Sequence, residues 1–308
     1  MTPALLLALP IGAVPALAPT TPNDLVTLKD GRTFSGRITT ADAGSMLVQV
    51  RPDPDQPPAT IRLPLALVAY AQFNTLPRPV PGEPLESLGA LWDRNAQFAH
   101  IPGTPAPAVG LRYADALLDS QSASAAQTAL ELLVRLEKTA PALADRTSAQ
   151  QKRLRAMVAL HRLEAAAREA RQILGSAAPQ PLAAEAWIVM GLESQTALTA
   201  LEKEHPRWAV DDRTRPQRQS LFFAALDAFL DAALQPEPDP HIASRALWNA
   251  ARLYQQNGDS AAASACLRDI LWLHEDTPAA ERARSILATA EQSRELPVLP
   301  HISIPNAP

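Results

Sequence analysis

A histidine and a carboxylate one helical turn apart can share a metal ion or pass a proton, and His161 with Glu164 has that spacing. A helical two-metal site needs further inward carboxylates from facing helices, and the sequence holds no second copy of the pair. His274, Glu275 and Asp276 form another cluster, just ahead of an expected helix. Acidic residues there favour the positive end of the helix dipole, which points to capping and not to acid–base work. Asp211 and Asp212 fall in a polar loop and read as solvated. Cys266 is the only cysteine, so neither an internal disulfide nor a multi-cysteine metal site is possible within the chain. Its helical spacing in SACLRDILWL reads as a small buried hydrophobe and not as a nucleophile. The sequence has no Gly-rich phosphate loop, no Gly-x-Ser-x-Gly elbow and no Cys/His metal spacing. No catalytic residue, metal ligand or cofactor site is assigned, and the expectation is a chain that is not an enzyme.

Side chains suited to recognition lie in an expected helix at 241–257. Leu247, Ala250, Ala251 and Tyr254 fall at i, i+3, i+4 and i+7, one apolar packing stripe. Arg245, Trp248, Arg252 and Gln255 fall at i, i+3, i+7 and i+10, a second stripe pointing about 100° away. A tryptophan exposed between two arginines has the composition of an interface hot spot for a protein partner. The same position also suits a tryptophan packed on a neighbouring helix with its indole N–H on a carbonyl. The other tryptophans, Trp92, Trp187, Trp208 and Trp272, read as core by spacing. The segment from Arg146 to Arg171 carries seven Lys or Arg against two Glu, but they spread around the helix and read as a solvated face or interaction rim. The chain has 28 Lys plus Arg and 32 Asp plus Glu, a net charge of −4. That balance provides no field to recruit a phosphate backbone, so nucleic acid is not an expected partner.

The elements that must position these residues follow from the hydrophobic pattern. Apolar residues make up 47% and charged residues 19%, a composition that collapses into a core. Met1 to Ala18 has an apolar stretch followed by small residues at Ala16 and Ala18, as in a secretory signal, which predicts export. No later stretch reaches the roughly 18 to 20 apolar residues a membrane-spanning helix requires. From Asp24 to Phe73 the period is that of strands. Two alternating runs meet at Asp30-Gly31, a strong hairpin signal, and three more short strands are expected at 45–51, 60–63 and 67–73. Five short strands predict a small curled sheet or barrel over 19–73. Residues 74–84, NTLPRPVPGEP, read as a Pro-rich linker. Helices are expected at 86–99, 107–119, 123–139, 147–174, 181–204, 216–234, 241–257, 260–274 and 278–293, and 294–308 as a Pro-rich tail.

Two resemblances attach to these residues. Leu28, Asp30, Gly31, Gly36 and Ile38 are similar to the first hairpin of SH3-like or Sm-like barrels. The segment from Ser244 to Ala280 resembles the tetratricopeptide repeat, a helix–turn–helix unit. Gly258-Asp259 matches its turn, Tyr254 its first-helix aromatic, Ala250 and Ala251 its small contact positions and Ala263 its close-packing alanine. HEDTPAA looks like the close of such repeats in bacterial envelope proteins. The resemblance implies a mainly α fold, a TPR-like helical-hairpin solenoid over 85–293 behind a small five-stranded β-module. It also implies a periplasmic or cell-envelope scaffold that binds protein. A ligand-binding envelope module for glycan or peptide, and an enzyme with an unfamiliar site, share the same pattern. An open groove favours the scaffold, and buried titratable groups converging on a closed pocket favour the enzyme.

Overall fold

The alternating run before Asp30-Gly31 forms β1 (Asp24–Leu28), which buries Asp24, Val26 and Leu28 on one face, as strand period dictates. The run after it forms β2 (Thr33–Ala41), followed by β3 (Ser45–Val50), β4 (Ala59–Pro64) and β5 (Val68–Gln72), with a 3-10 turn at Leu65–Leu67. All pairings are antiparallel, in the order β4-β3-β2-β1-β5. The first half of β2 pairs with β1 and the second half with β3, with a register irregularity between Ile38 and Thr40. Such a bulge bends the strand. The carboxylate of Asp24 fastens the two ends of the unit, accepting from Ile38 N (2.9 Å), Asn74 N (2.7 Å), Thr75 N and Thr75 Oγ1 (both 2.8 Å). The computed structural model describes residues 23–50, 57–293 and 299. The signal expected at 1–18 and the tail at 294–308, Leu299 excepted, lie outside the described residues.

Ten helices follow: α1 (Leu85–Asn95), α2 (Ala106–Asp119), α3 (Ala123–Thr139), α4 (Leu143–Ala159), α5 (Leu163–Leu174), α6 (Gln180–Glu204), α7 (Thr214–Ala233), α8 (Pro240–Gln256), α9 (Ser260–Leu273) and α10 (Pro278–Ser293). The fold is therefore mainly helical with an N-terminal five-stranded antiparallel sheet. The single helix expected at 147–174 is two, α4 and α5, broken at Leu160–Arg162 where His161 takes a left-handed φ of 57°. The corresponding turns of α2/α3 and α8/α9 have Gln121 (φ 54°) and Gly258 (φ 81°) at the same place. In each the left-handed residue donates its N–H three residues back, to Leu118, Val158 or Gln255. Five residues beyond it stands a buried alanine, Ala126, Ala166 or Ala263, and twelve beyond it a buried Leu133, Ile173 or Ile270. Three hairpins thus share one geometry, and α6 and α7 are joined by the longer segment 205–213.

Each helix packs on the next. The even-numbered helices α2, α4, α6, α8 and α10 also touch in succession, whereas the odd-numbered ones make no comparable contacts with one another among the described residues. The core falls into three clusters. The first runs without interruption from the inner face of the sheet (Val26, Met46, Val48, Phe73) through Trp92, Phe98 and Ile101 into α2, α3 and α4. The second joins Leu154 of α4 to Ala166, Ala170 and Ile173 of α5 and Val189 of α6. The third joins α6 to α10 around Trp248, Phe229, Leu253 and Leu267, and includes Leu299. At the junction of sheet and helices Gly103 has φ +87°, and a Cβ there would lie 2.3 Å from the carbonyl oxygen of Ala71. Only glycine lets the strand and the loop approach so closely. No helix among the described residues is long and apolar enough to cross a membrane.

Candidate functional site

Helices α2 and α4 are amphipathic, and the even-numbered layer brings their polar sides together. Arg112 and Asp115 of α2, one turn apart, face Lys152 and Arg155 of α4, also one turn apart. The start of α8 adds His241 and Arg245, and the linker residues Val80 to Glu83 form the rim of a depression of about 460 Å³. Asp239 is spent as the N-cap of α8, accepting from His241 N (2.9 Å) and Ile242 N (3.2 Å). Glu83 accepts from Val80 N (3.1 Å) and from the Ser87 hydroxyl, which fixes the linker turn.

The floor is charged and largely buried. Lys152 Nζ lies 2.7 Å from both carboxylate oxygens of Asp115. Arg155, 4% exposed, places Nη1 3.7 Å from Asp115 Oδ1, while its Nε and Nη2 have no hydrogen-bond partner among the described residues. Arg245 Nη2 meets Oε1 of Glu185 at 2.7 Å, a carboxylate from α6 that is 1% exposed and whose Oε2 has no partner among the described residues. Burial, and then the like charge of Arg245, push the Arg155 guanidinium below its ordinary range, while Glu185, Asp115 and Asp119 pull the other way. Four helices therefore meet in an alternating ribbon of acids and bases.

Of the four residues expected to form an open recognition stripe, only Arg245 lines this depression. Trp248 is fully buried, with no partner on its indole Nε1 among the described residues. Arg252 is buried, and burial lowers its guanidinium's pKa. Gln255 is half-buried, its Oε1 accepting from Leu299 N at 2.7 Å. The stripe is real, but it faces inward. Every residue of α8 from Ile242 to Leu253 is buried, because the helix is packed against α6, α7, α9 and α10. A helix enclosed on all sides has no solvent face for an off-stripe residue to occupy. The expected exposure of Trp248 is therefore corrected. Among the residues read as core, Trp92 is buried, Trp187 and Trp208 are half-buried, and Trp272 at the end of α9 is 82% exposed. Trp208 lies under the Arg218 guanidinium, 4.0 Å from it, a cation–π contact.

Comparison of the chain with known protein families, characterised proteins and solved structures finds no match.

The remaining chemical candidates are dispersed. His161 sits in the α4/α5 turn and Glu164 at the start of α5, so they do not share a helix as their spacing suggested. Asp211 accepts from Arg213 N (3.0 Å) and Thr214 Oγ1 (2.6 Å), and these bonds hold its carboxyl below the usual range at the start of α7. Ahead of α10, Thr277 receives Ala280 N at 3.3 Å, so a hydroxyl and not the preceding acids makes the cap contact. Burial pushes the Cys266 thiol up to about 11, with Asp269 adding to the effect, which leaves it protonated and unreactive at neutral pH. Among the described residues no three His, Cys, Asp or Glu side chains are grouped to hold a metal ion.

Proposed function

We propose that the chain is an exported, non-enzymatic scaffold whose helices form a TPR-like array behind an SH3-like β-module, and that it holds a protein partner in the depression between α2, α4 and α8. The observation that carries this reading is the closer spacing of the even-numbered helices, which bends a stack toward that layer and makes it the concave side. The depression lies on that side and is edged by the linker residues Val80, Gly82 and Glu83, a shape that a peptide segment fits. The three equivalent turns and their contact alanines support the repeat reading, because stacked hairpins require a small residue where two helices approach most closely. The carboxylates in and around the pocket support a binding role: Asp115, Glu185, Asp239 and Glu83 are each engaged by a cation or by backbone and hydroxyl donors, which suits structure and not proton transfer. The apolar run before Ala18 supports export to the periplasm or envelope.

The test is photo-crosslinking in the native host. A benzoylphenylalanine at Gln151 or His241, which line the depression, should yield one discrete adduct with a second protein. The same group at Arg268, on the exposed side of α9, should yield none. Adducts of equal yield from both faces, or none from the depression, would sink the scaffold reading.

A further inference from the structure

One contact joins α8 to chain that lies beyond the last helix. Leu299, past the end of α10, is 4% exposed and belongs to the apolar cluster that α8, α9 and α10 build around Trp248, Leu253 and Leu267. Its N–H donates to Oε1 of Gln255, on the last turn of α8, at 2.7 Å. The surrounding sequence explains why a side chain accepts that bond. Pro297 and Pro300 have no N–H, so the run Pro297-Val298-Leu299-Pro300 cannot be stitched to a strand by a backbone ladder, and a residue placed before proline favours extended backbone. Such a run suits polyproline II, which repeats every three residues. Leu296, Leu299 and Ile302 recur at that period and in this conformation line one edge, with Val298 and His301 on another. A segment with one aliphatic edge and few backbone donors is recognised by an apolar pocket and a polar group aimed at a remaining N–H. The seat of Leu299 supplies both.

We propose that the C-terminal end of α8 is a docking site for an extended segment with an aliphatic residue at every third position, and that its occupant is this chain's own segment 296–302. Leu299 fills the apolar seat, Gln255 holds the backbone beside it, and Leu296 and Ile302 continue the edge on either side. The contact amounts, among the described residues, to one leucine and one hydrogen bond, a small share of what holds α8. The segment is therefore an internal ligand of the helices, and it leaves without unfolding them. Its occupancy does not depend on what the depression between α2, α4 and α8 binds.

The experiment is fluorescence anisotropy on the full chain, with a fluorescein-labelled peptide of residues 294–303 as the probe. In the unaltered chain the seat is filled, whereas Leu299→Asp releases the segment, because a carboxylate does not enter an apolar seat. The peptide should therefore bind the Leu299→Asp chain at least about tenfold more tightly than the unaltered one. The same peptide carrying Leu299→Asp should bind at least about tenfold more weakly, Leu296→Ser or Ile302→Ser about threefold more weakly, and Val298→Ser as well as the parent. Gln255→Leu, added to the Leu299→Asp chain, removes the acceptor at a half-buried position and should weaken binding about fivefold. Hydrogen exchange in the unaltered chain gives a second measurement should Leu299→Asp not fold. The Leu299 amide should be protected, yet exchange at least about a hundredfold faster than the Leu253 amide within α8. Exchange of both at one rate makes Leu299 ordinary core and overturns the inference, as does an unprotected Leu299 amide. Equal binding of the peptide and its Leu299→Asp form, or equal binding to the two chains, overturns it as well. A loss with Val298→Ser as large as that with Leu296→Ser overturns the three-residue register.

Discussion

The α4/α5 and α8/α9 hairpins turn through the same left-handed residue and meet at an equivalent alanine, yet they are held together by different forces. Of the eight buried residues in the cluster around α5, four are alanines, Ala166, Ala167, Ala170 and Ala186. Alanine allows close approach but removes little apolar surface from water. The deficit is met by charge: Arg153 of α4 bridges Glu137 of α3 (3.1 Å) and Glu169 of α5, Arg171 pairs with Glu193 of α6, and Lys152 with Asp115 of α2. Around α8 alanines are nearly as frequent, ten of the twenty-three buried residues, but they are interleaved with large side chains, Trp248, Leu247, Leu253, Leu267 and Ile270. The lesson is that hairpin geometry is set by the turn and one small contact residue, while the material between helices is free to be apolar or ionic. The candidate site lies in the ionic part, where each charge has an opposite charge nearby although Nε and Nη2 of Arg155 and Oε2 of Glu185 donate or accept no hydrogen bond among the described residues.

The contrast is open to four tests. The largest effect is expected from Trp248→Ala, which empties the apolar hairpin and should cost about 4 kcal/mol in denaturant unfolding. A loss under about 1 kcal/mol would mean that this hairpin is not held by its large side chains. Next is Glu185→Ala, which leaves the Arg245 charge buried without its partner and should cost about 3 kcal/mol. Replacing both, Glu185→Leu with Arg245→Leu, should be close to neutral, and a penalty as large as the single change would show that the pair does more than cancel its own charges.

The third test concerns protons. Burial lowers the pKa of His274, at the end of α9, below its ordinary 6.5. The unfolded chain then binds more protons than the folded one between the lowered value and 6.5, so stability is full above 6.5 and declines as pH falls through that window. The slope from this one group cannot exceed about 1.4 kcal/mol per pH unit, and it should vanish in His274→Asn. An unaltered pH profile in that variant would place the sensitivity elsewhere. The smallest effect is expected at the turns. His161→Gly relieves a left-handed β-carbon, less the added freedom of the unfolded chain, and should stabilise by about 0.5 kcal/mol, whereas Gly258→Ala should destabilise by about 1 kcal/mol. Changes of opposite sign at the two sites are what identical turn geometry requires, and a loss at both would mean that the turns differ.

Those two turns also show how far the sequence can be read. Gly258-Asp259 announces itself, since glycine adopts positive φ without strain and Asp259 caps α9 by accepting from Ala262 N at 2.9 Å. Leu160-His161-Arg162 contains neither glycine nor proline, so the helical period runs through it and the break at α4/α5 is invisible. The strain at His161 is offset by packing on both flanking helices, which only the folded chain reveals. The sheet was legible because Asp30-Gly31 and the alternation of β1 and β2 are local signals. The candidate site was not. Asp115, Arg155, Glu185 and Arg245 come from four helices spread over 130 residues, and Arg155 sits inside a basic segment that reads as solvated. One clue did exist, a lone Glu185 in the apolar run AAEAWIV, since a carboxylate there is buried whichever way the helix turns.

The uninterrupted core shared by the sheet and α1 to α4 has a consequence for assembly. A stack of helical hairpins is a one-dimensional lattice, and each end exposes the face that another hairpin would cover. Here the first end is occupied by a structure of a different kind. Met46, Val48 and Phe73 take up the apolar surface that a preceding hairpin would bury, and strands offer no helical ridge for another copy to dock on. In the hairpin array proposed above, the sheet would therefore mark a defined origin and stop head-to-tail stacking at that end.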